Sequence, residues 1–166
     1  MSAPRLVAVL FADLVSSTET VASLGPEAGE AWRQRFLGAM REALAAARGR
    51  EVQHTGDGHL ITFDGPTQAI RCAEALRADV EALGIEIRIG IHTGECELVG
   101  DKIAGIAVVT GSRISSLAAS GEVLVSSTVK DLVAGSGFGF ESRGEHELKG
   151  VQGEWQLYAV TDLGAG

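Results

Sequence analysis

The sequence is poor in the features that mark several functional classes. Only two of its 166 residues are cysteines, Cys72 and Cys96. Two isolated thiols make neither a zinc-ligand spacing nor a disulfide framework, and Cys72 falls in an apolar helical run, where a thiol usually serves as a small core residue. Positive charge is in deficit: 14 lysines and arginines face 22 acidic residues, giving a net charge of -8. Affinity for nucleic acid rests on neutralised phosphates, and arginines scattered among glutamates form no basic stripe. A nucleic-acid partner is therefore not expected, although a site for one small phosphate ligand stays open. No apolar stretch reaches the ~18–20 residues needed to span a membrane, and the N-terminus lacks the basic start and apolar core of a signal peptide. The chain reads as soluble and cytoplasmic, with no membrane partner. It also lacks repeats, linkers and low-complexity segments. His54, His59, His92 and His146 have no ligand spacing and read as polar strand residues.

Hydrophobic residues make up 45% of the chain, enough to bury the core of one α/β domain. That domain takes in residues 1–166, with a core from about 5 to 160. Arg5–Ala12 reads as a buried strand. Pro26 opens a helix running to about Arg48, with Trp32, Phe36, Met40 and Leu44 at helical spacing and Gly49 as its stop. Glu51–Thr55 and His59–Phe63 flank Gly56-Asp57-Gly58, a hairpin signal. Pro66–Leu83 is a second amphipathic helix. Ile85, Ile87, Ile89 and Ile91 alternate with Glu86, Arg88, Gly90 and His92, as in a strand with one buried face. After a glycine-punctuated stretch come helices over Ile106–Leu117 and Ser127–Val133, around a strand over Glu122–Val125. Short strands follow over Phe138–Glu141, Glu147–Lys149 and Trp155–Val160. This order predicts an α/β fold, an α+β sandwich with one sheet and helices on one face.

Two acidic positions carry the chemistry. Phe11-Ala12-Asp13-Leu14-Val15-Ser16-Ser17-Thr18 ends a buried strand in a carboxylate and follows it with small hydroxyl residues. The carboxylate suits Mg²⁺ or Mn²⁺, which prefer oxygen donors, and the following N–H groups can cradle phosphate at a helix start. Capping a helix is the alternative use of the same residues. Asp57 stands on the hairpin, where a plain turn is the alternative. Carboxylates on neighbouring strand ends can together hold two metals ~3.5–4 Å apart, as phosphoryl-transfer sites do.

The same residues resemble a known family. Phe11–Thr18 is similar to the opening signature of class III adenylyl/guanylyl cyclases, and Thr55-Gly56-Asp57-Gly58 to their hairpin motif. Gly105-Ile106-Ala107-Val108 through Arg113 resembles their dimer-interface helix, and Gly121–Ser126 the strand after it. Arg143-Gly144 with Leu148-Lys149-Gly150 resembles the closing segment. The likeness runs from about Leu6 to Val160, and its texture is most similar to mycobacterial and other actinobacterial cyclase domains. It implies the ferredoxin-like core of that fold and a head-to-tail homodimer with two sites at the interface. One subunit would supply Asp13, Leu14 and Asp57 to two Mg²⁺ or Mn²⁺ ions, with Ser16, Ser17 and Thr18 near the phosphates. The other would supply Gln53, Asp101 and Lys102 at the base and Arg113 against charge on the α-phosphate, and Lys149 would meet the triphosphate. The implied reaction converts ATP to cyclic AMP and pyrophosphate.

Three positions depart from the family pattern. Gln53 stands where adenylyl cyclases usually have a base-reading lysine, and Lys102, with Asp101 before it, where they have an aspartate or threonine. Val109 replaces the ribose-orienting asparagine and has no donor or acceptor. The expectation is an adenylyl cyclase of weak activity or relaxed purine choice. A catalytically silent, nucleotide-binding or regulatory domain is the alternative, with a guanylyl cyclase third.

Overall fold

A computed structural model describes residues 4–15, 17–55, 58–100 and 102–163; at 17, 18 and 53–55 it describes the backbone alone. In chain order the elements are β1 (Arg5–Val15), α1 (Ser17–Leu24), α2 (Pro26–Ala47), β2 (Arg50–Thr55), β3 (Gly58–Phe63), α3 (Pro66–Ala82) and β4 (Glu86–Val99). Then follow β5 (Lys102–Ala104), α4 (Ile106–Leu117), β6 (Val123–Ser126), α5 (Ser127–Leu132), β7 (Gly139–Glu147) and β8 (Glu154–Asp162). The sheet order is β2-β3-β1-β4-β6-β8-β7, with β5 paired to β4 off this path. All pairs are antiparallel except β4 with β6. No helix among the described residues is long and apolar enough to cross a membrane.

Alternation along β1 sets the layers, because successive strand residues face opposite sides of a sheet. Ala8, Leu10, Ala12 and Leu14 join one core with Trp32, Phe36 and Met40 of α2 and Ile70, Ala73 and Leu76 of α3. Val7 and Val9 face the other way, into a smaller core with Leu60, Cys96 and Ala107 of α4. The α/β class and the single sheet hold; helices, however, cover both faces rather than one. Cys72 and Cys96 are buried and free, and burial raises the Cys72 thiol to about 11, so both act as small core residues.

The second face is made possible by glycines. A Cβ on Gly90 of β4 would lie 2.2 Å from the backbone nitrogen of Ser115, and one on Gly94 2.8 Å from the Ala107 Cβ. On the helix side, a Cβ on Gly111 would lie 2.9 Å from a Val9 methyl. Glycine normally weakens a strand interior. Here it lets α4 lie with its backbone against the sheet. The same residues explain why β4 runs on to Val99, well past His92, where the glycine punctuation suggested a break. Three other boundaries moved. β1 extends to Val15, so Asp13 sits within the strand. A separate helix, α1, precedes Gly25, whose φ of 87° and the following Pro26 divide it from α2. The expected strand over Glu147–Lys149 is instead the end of β7 and a turn that buries Leu148.

His92 shows how tightly this second face is closed. The ring is 5% exposed, lies edge-on to Trp155 at 5.3 Å, and has Nδ1 2.8 Å from the Ser126 hydroxyl oxygen. That oxygen also accepts a hydrogen bond from the Val129 N–H and so caps α5. The ring and the Ser126 hydroxyl share that hydrogen bond, whose direction follows the ring tautomer. Burial lowers the His92 pKa to about 4.

Two measurements follow. The folded pKa of His92 lies below the ordinary 6.5, so between these values the unfolded chain binds the extra proton. Its contribution is complete above pH 6.5 and is lost as pH falls towards 4, by about 3 kcal/mol in all. Urea unfolding across that window should show this slope, and His92→Phe should flatten it. Gly90→Ala should destabilise by about 3 kcal/mol, at the upper end of overpacking costs, because its neighbours are backbone atoms. Gly38→Ala, with nothing within 4 Å in mid-α2, should instead stabilise by roughly 0.5–1 kcal/mol.

Candidate active site

Asp13 lies on the α4 side of β1, in register with Gly58 of β3 and Arg88 of β4. Its side chain is half-buried, and the Ser115 hydroxyl, from a residue 1% exposed on α4, approaches Oδ2 at 3.4 Å. The contact exists because Gly90 lets Ser115 descend onto the sheet. Gly58, the residue after Asp57, is the cross-strand neighbour of Asp13, and the last described pair of the hairpin is Thr55 with Gly58. Asp57 itself, with Ser16 and Asp101, lies outside the described residues, as do the side chains of Ser17, Thr18 and Gln53. The backbones of Ser17 and Thr18 form the first turn of α1, and Gln53 follows an irregularity in β2. Leu14 turns its side chain into the main core, so its backbone carbonyl is the only donor it could offer a metal.

Arg88 is a residue that motif reading passed over. It stands directly opposite Asp13, and its Nε is buried with no hydrogen-bond partner among the described residues. An unsatisfied buried donor costs about 1–3 kcal/mol, and more where the group is charged. Such a donor beside a carboxylate suits an anionic ligand oxygen. The period-2 pattern of β4 already set Arg88 on the polar face with Gly90 and His92; only the pairing with β1 brings it to Asp13.

The remaining predicted residues fall elsewhere. Arg113 lies on the outward side of α4, half-buried, and its Nε donates to the Lys149 carbonyl at 3.1 Å. The structure thus brings Arg113 and Lys149 together. Residues two apart on a helix do not share a face, so Ser115 meets Asp13 while Arg113 is directed away from it. Val109 is 38% exposed on the same outward side, with Ile106 at 60% and Leu117 at 45%. Lys102 is exposed on β5, opposite Val99. Among the described residues no group of three His, Cys, Asp or Glu side chains could hold a metal. Asp13 nonetheless fits such a role, as a half-buried carboxylate with no ion pair among those residues.

Comparison with known proteins gives this arrangement its context. A relative in Rhizobium meliloti, named as a candidate adenylate cyclase, is 27% identical over 157 residues, 89% of this chain and 27% of that protein. A Mycobacterium tuberculosis protein, Rv0891c, is 32% identical over 109 residues, 63% of this chain and 38% of its own length. The chain thus spans well under half the length of these curated relatives. Among solved structures, the adenylyl cyclase CyaB from P. aeruginosa superposes with a TM-score of 0.88 at 24% identity, over 98% of this chain and 96% of that one. The guanylyl cyclase Cya2 superposes at 0.81 with 26% identity, over 98% and 95%. The family model for the adenylate and guanylate cyclase catalytic domain matches residues 2–162. With that match over nearly the whole chain, the protein belongs to the adenylate and guanylate cyclase catalytic domain family.

Proposed function

We propose that residues 1–166 form one adenylyl cyclase catalytic domain, a soluble cytoplasmic unit that works as a head-to-tail homodimer and converts ATP to cyclic AMP and pyrophosphate. The observation that carries this reading is the split across α4. Asp13 is met by Ser115 from the helix's inner side, while Arg113 projects from its outer side. One chain therefore keeps its carboxylate and its arginine apart, and a second copy can bring the missing half. The exposed Ile106, Val109 and Leu117 beside Arg113 support an interface on that side.

In this reading Asp13, the Leu14 carbonyl and Asp57 of one subunit hold the metals. Two Mg²⁺ or Mn²⁺ ions, when bound, would polarise the triphosphate and favour ionisation of the ribose hydroxyl. Ser16, Ser17 and Thr18 at the start of α1 offer N–H groups to phosphate oxygens. Arg88, with its orphaned donor, accepts a place beside the same anion. From the other subunit, Gln53, Asp101 and Lys102 meet the base, and Arg113 stabilises charge building on the α-phosphate, with Lys149 beside the triphosphate. The 3′-oxygen forms its bond to the α-phosphorus as the bond to the bridging oxygen breaks, and pyrophosphate leaves with the hydroxyl proton released. Positioning and electrostatics supply the rate. Val109 withdraws one orienting hydrogen bond, so turnover should be slow.

Purified protein with ATP and Mn²⁺ should make cyclic AMP, and Asp13→Ala should lower the rate at least ~100-fold. Product no greater than the mutant's would leave the silent regulatory domain as the reading, and parallel assays with GTP decide the purine. Mixing Asp57→Ala with Arg113→Ala chains should restore one intact site per heterodimer. A mixture as inactive as either variant alone would overturn the shared site.

A further inference from the structure

The cleft at the opposite end of the sheet from Asp13 collects positive charge in a protein that has little to spare. It is lined by Arg5, Arg48, Arg50, Thr62, Asp64 and apolar neighbours, and encloses about 230 Å³. Arg5 and Asp13 are eight residues apart on β1, or roughly 26 Å along the strand. Among the described lining residues, three arginines against one aspartate leave a local charge of +2 in a chain whose net charge is -8.

Surface arginines are ordinarily solvated or ion-paired, and three others in this fold carry ion pairs. Arg33 meets Glu30, Arg77 meets Glu74 and Glu81, and Arg143 meets Glu122 and Glu141. Arg5, Arg48 and Arg50 have no ion pair among the described residues, and like charges gathered on one cleft repel. The backbone adds a second observation. Arg48 is the only non-glycine among the described residues with positive φ (57°), at the cap of α2. Glycine is the usual residue at such a cap, and a larger side chain there is disfavoured. Gly49 cannot trade places with it, since a Cβ there would lie 2.6 Å from the Phe63 ring. An arginine thus occupies a strained cap where its side chain joins the other two.

We propose that this cleft is a binding site for a phosphate-class dianion, distinct from the nucleotide site. The +2 lining charge matches a dianion, guanidinium forks match its oxygens, and the Thr62 hydroxyl can donate a further hydrogen bond. Asp64 favours the singly protonated phosphate, whose hydroxyl can donate to a carboxylate. The volume is below the ~300–1,000 Å³ usual for whole organic ligands, so the cleft holds a compact anion rather than a nucleotide. The inference does not depend on the cyclase reading, because none of the three arginines belongs to the proposed catalytic set; only Val52 and Gly100 of the lining adjoin base-reading positions, Gln53 and Asp101.

Isothermal titration calorimetry of the full chain with inorganic phosphate, in EDTA and at ionic strength held constant with chloride, tests it. One saturable site per chain is expected. Affinity should fall at least tenfold in Arg5→Gln/Arg50→Gln and in Arg48→Gly, and be unchanged in Asp13→Ala and Arg88→Gln. Arg48→Gly removes the charge while relieving the cap, so circular dichroism should show it folded even if the double variant is not. Absence of saturable binding, equal binding by folded Arg48→Gly, or loss of binding in Arg88→Gln would each overturn the proposal.

Discussion

The close seat of α4 on the sheet is the constraint from which the rest of the arrangement follows. It depends on Gly90, where any side chain would drive into the Ser115 backbone. With that contact made, Ile114 and Ser115 are buried, and the helix has one permitted rotation about its axis. The rotation directs Ser115 towards Asp13 and, by helical geometry alone, Arg113 away from it. A packing requirement in the core thereby decides which polar side chains share a chain's own site and which are offered outward. Gly94 against Ala107 and Gly111 against Val9 repeat the device along the helix, so α4 is held at several points rather than pivoting on one.

How far the sequence revealed this depended on the range of the interactions. Local signals served well: Ile106–Leu117 was legible as a helix to the residue, and the period-2 isoleucines marked the buried face of β4. Pro26 and Pro66 each open a helix as their fixed φ predicts. The misjudged stretches are those where a distant partner overrides local preference. β4 carries glycines that look like a break because their purpose, the approach of α4, lies some twenty residues on. β1 continues through Asp13 because β3 and β4 pair with it on both sides. Leu148 leaves the expected strand for a small core with Ile114, Leu124 and Leu157, contacts that no window on the sequence contains.

The site divides along the same line. Short motifs single out Asp13 and Arg113 as candidates, yet motif reading is silent on which of them meet within one chain. Arg88 had the reverse history. It sits in an ordinary alternating strand, and nothing local distinguishes it from a solvated arginine. What singles it out is register: an eleven-residue pairing of β1 with β4 sets it opposite Asp13 and leaves its Nε buried without an acceptor among the described residues. A cross-strand pair of this kind is visible only once the strands are laid side by side.

The departures from the family pattern also take on a physical shape when placed on the fold. Val109 lies on the outward face of α4 between Ile106 and Arg113, with Leu117 further along. In the shared-site reading, a polar residue there would orient the sugar, whereas valine extends an apolar stripe that a partner subunit can cover. On that reading the exchange would give up transition-state positioning and add apolar area to the interface, favouring association over rate. Lys102 acts differently. It is exposed on a three-residue strand at the edge of the fold, so it can move without disturbing the core. A residue so placed can change which purine is accepted while leaving Asp13, Arg88 and the seat of α4 as they are. In the shared-site reading the substitutions thus bear on base choice and turnover, while the carboxylate end of the site rests on packing they do not touch.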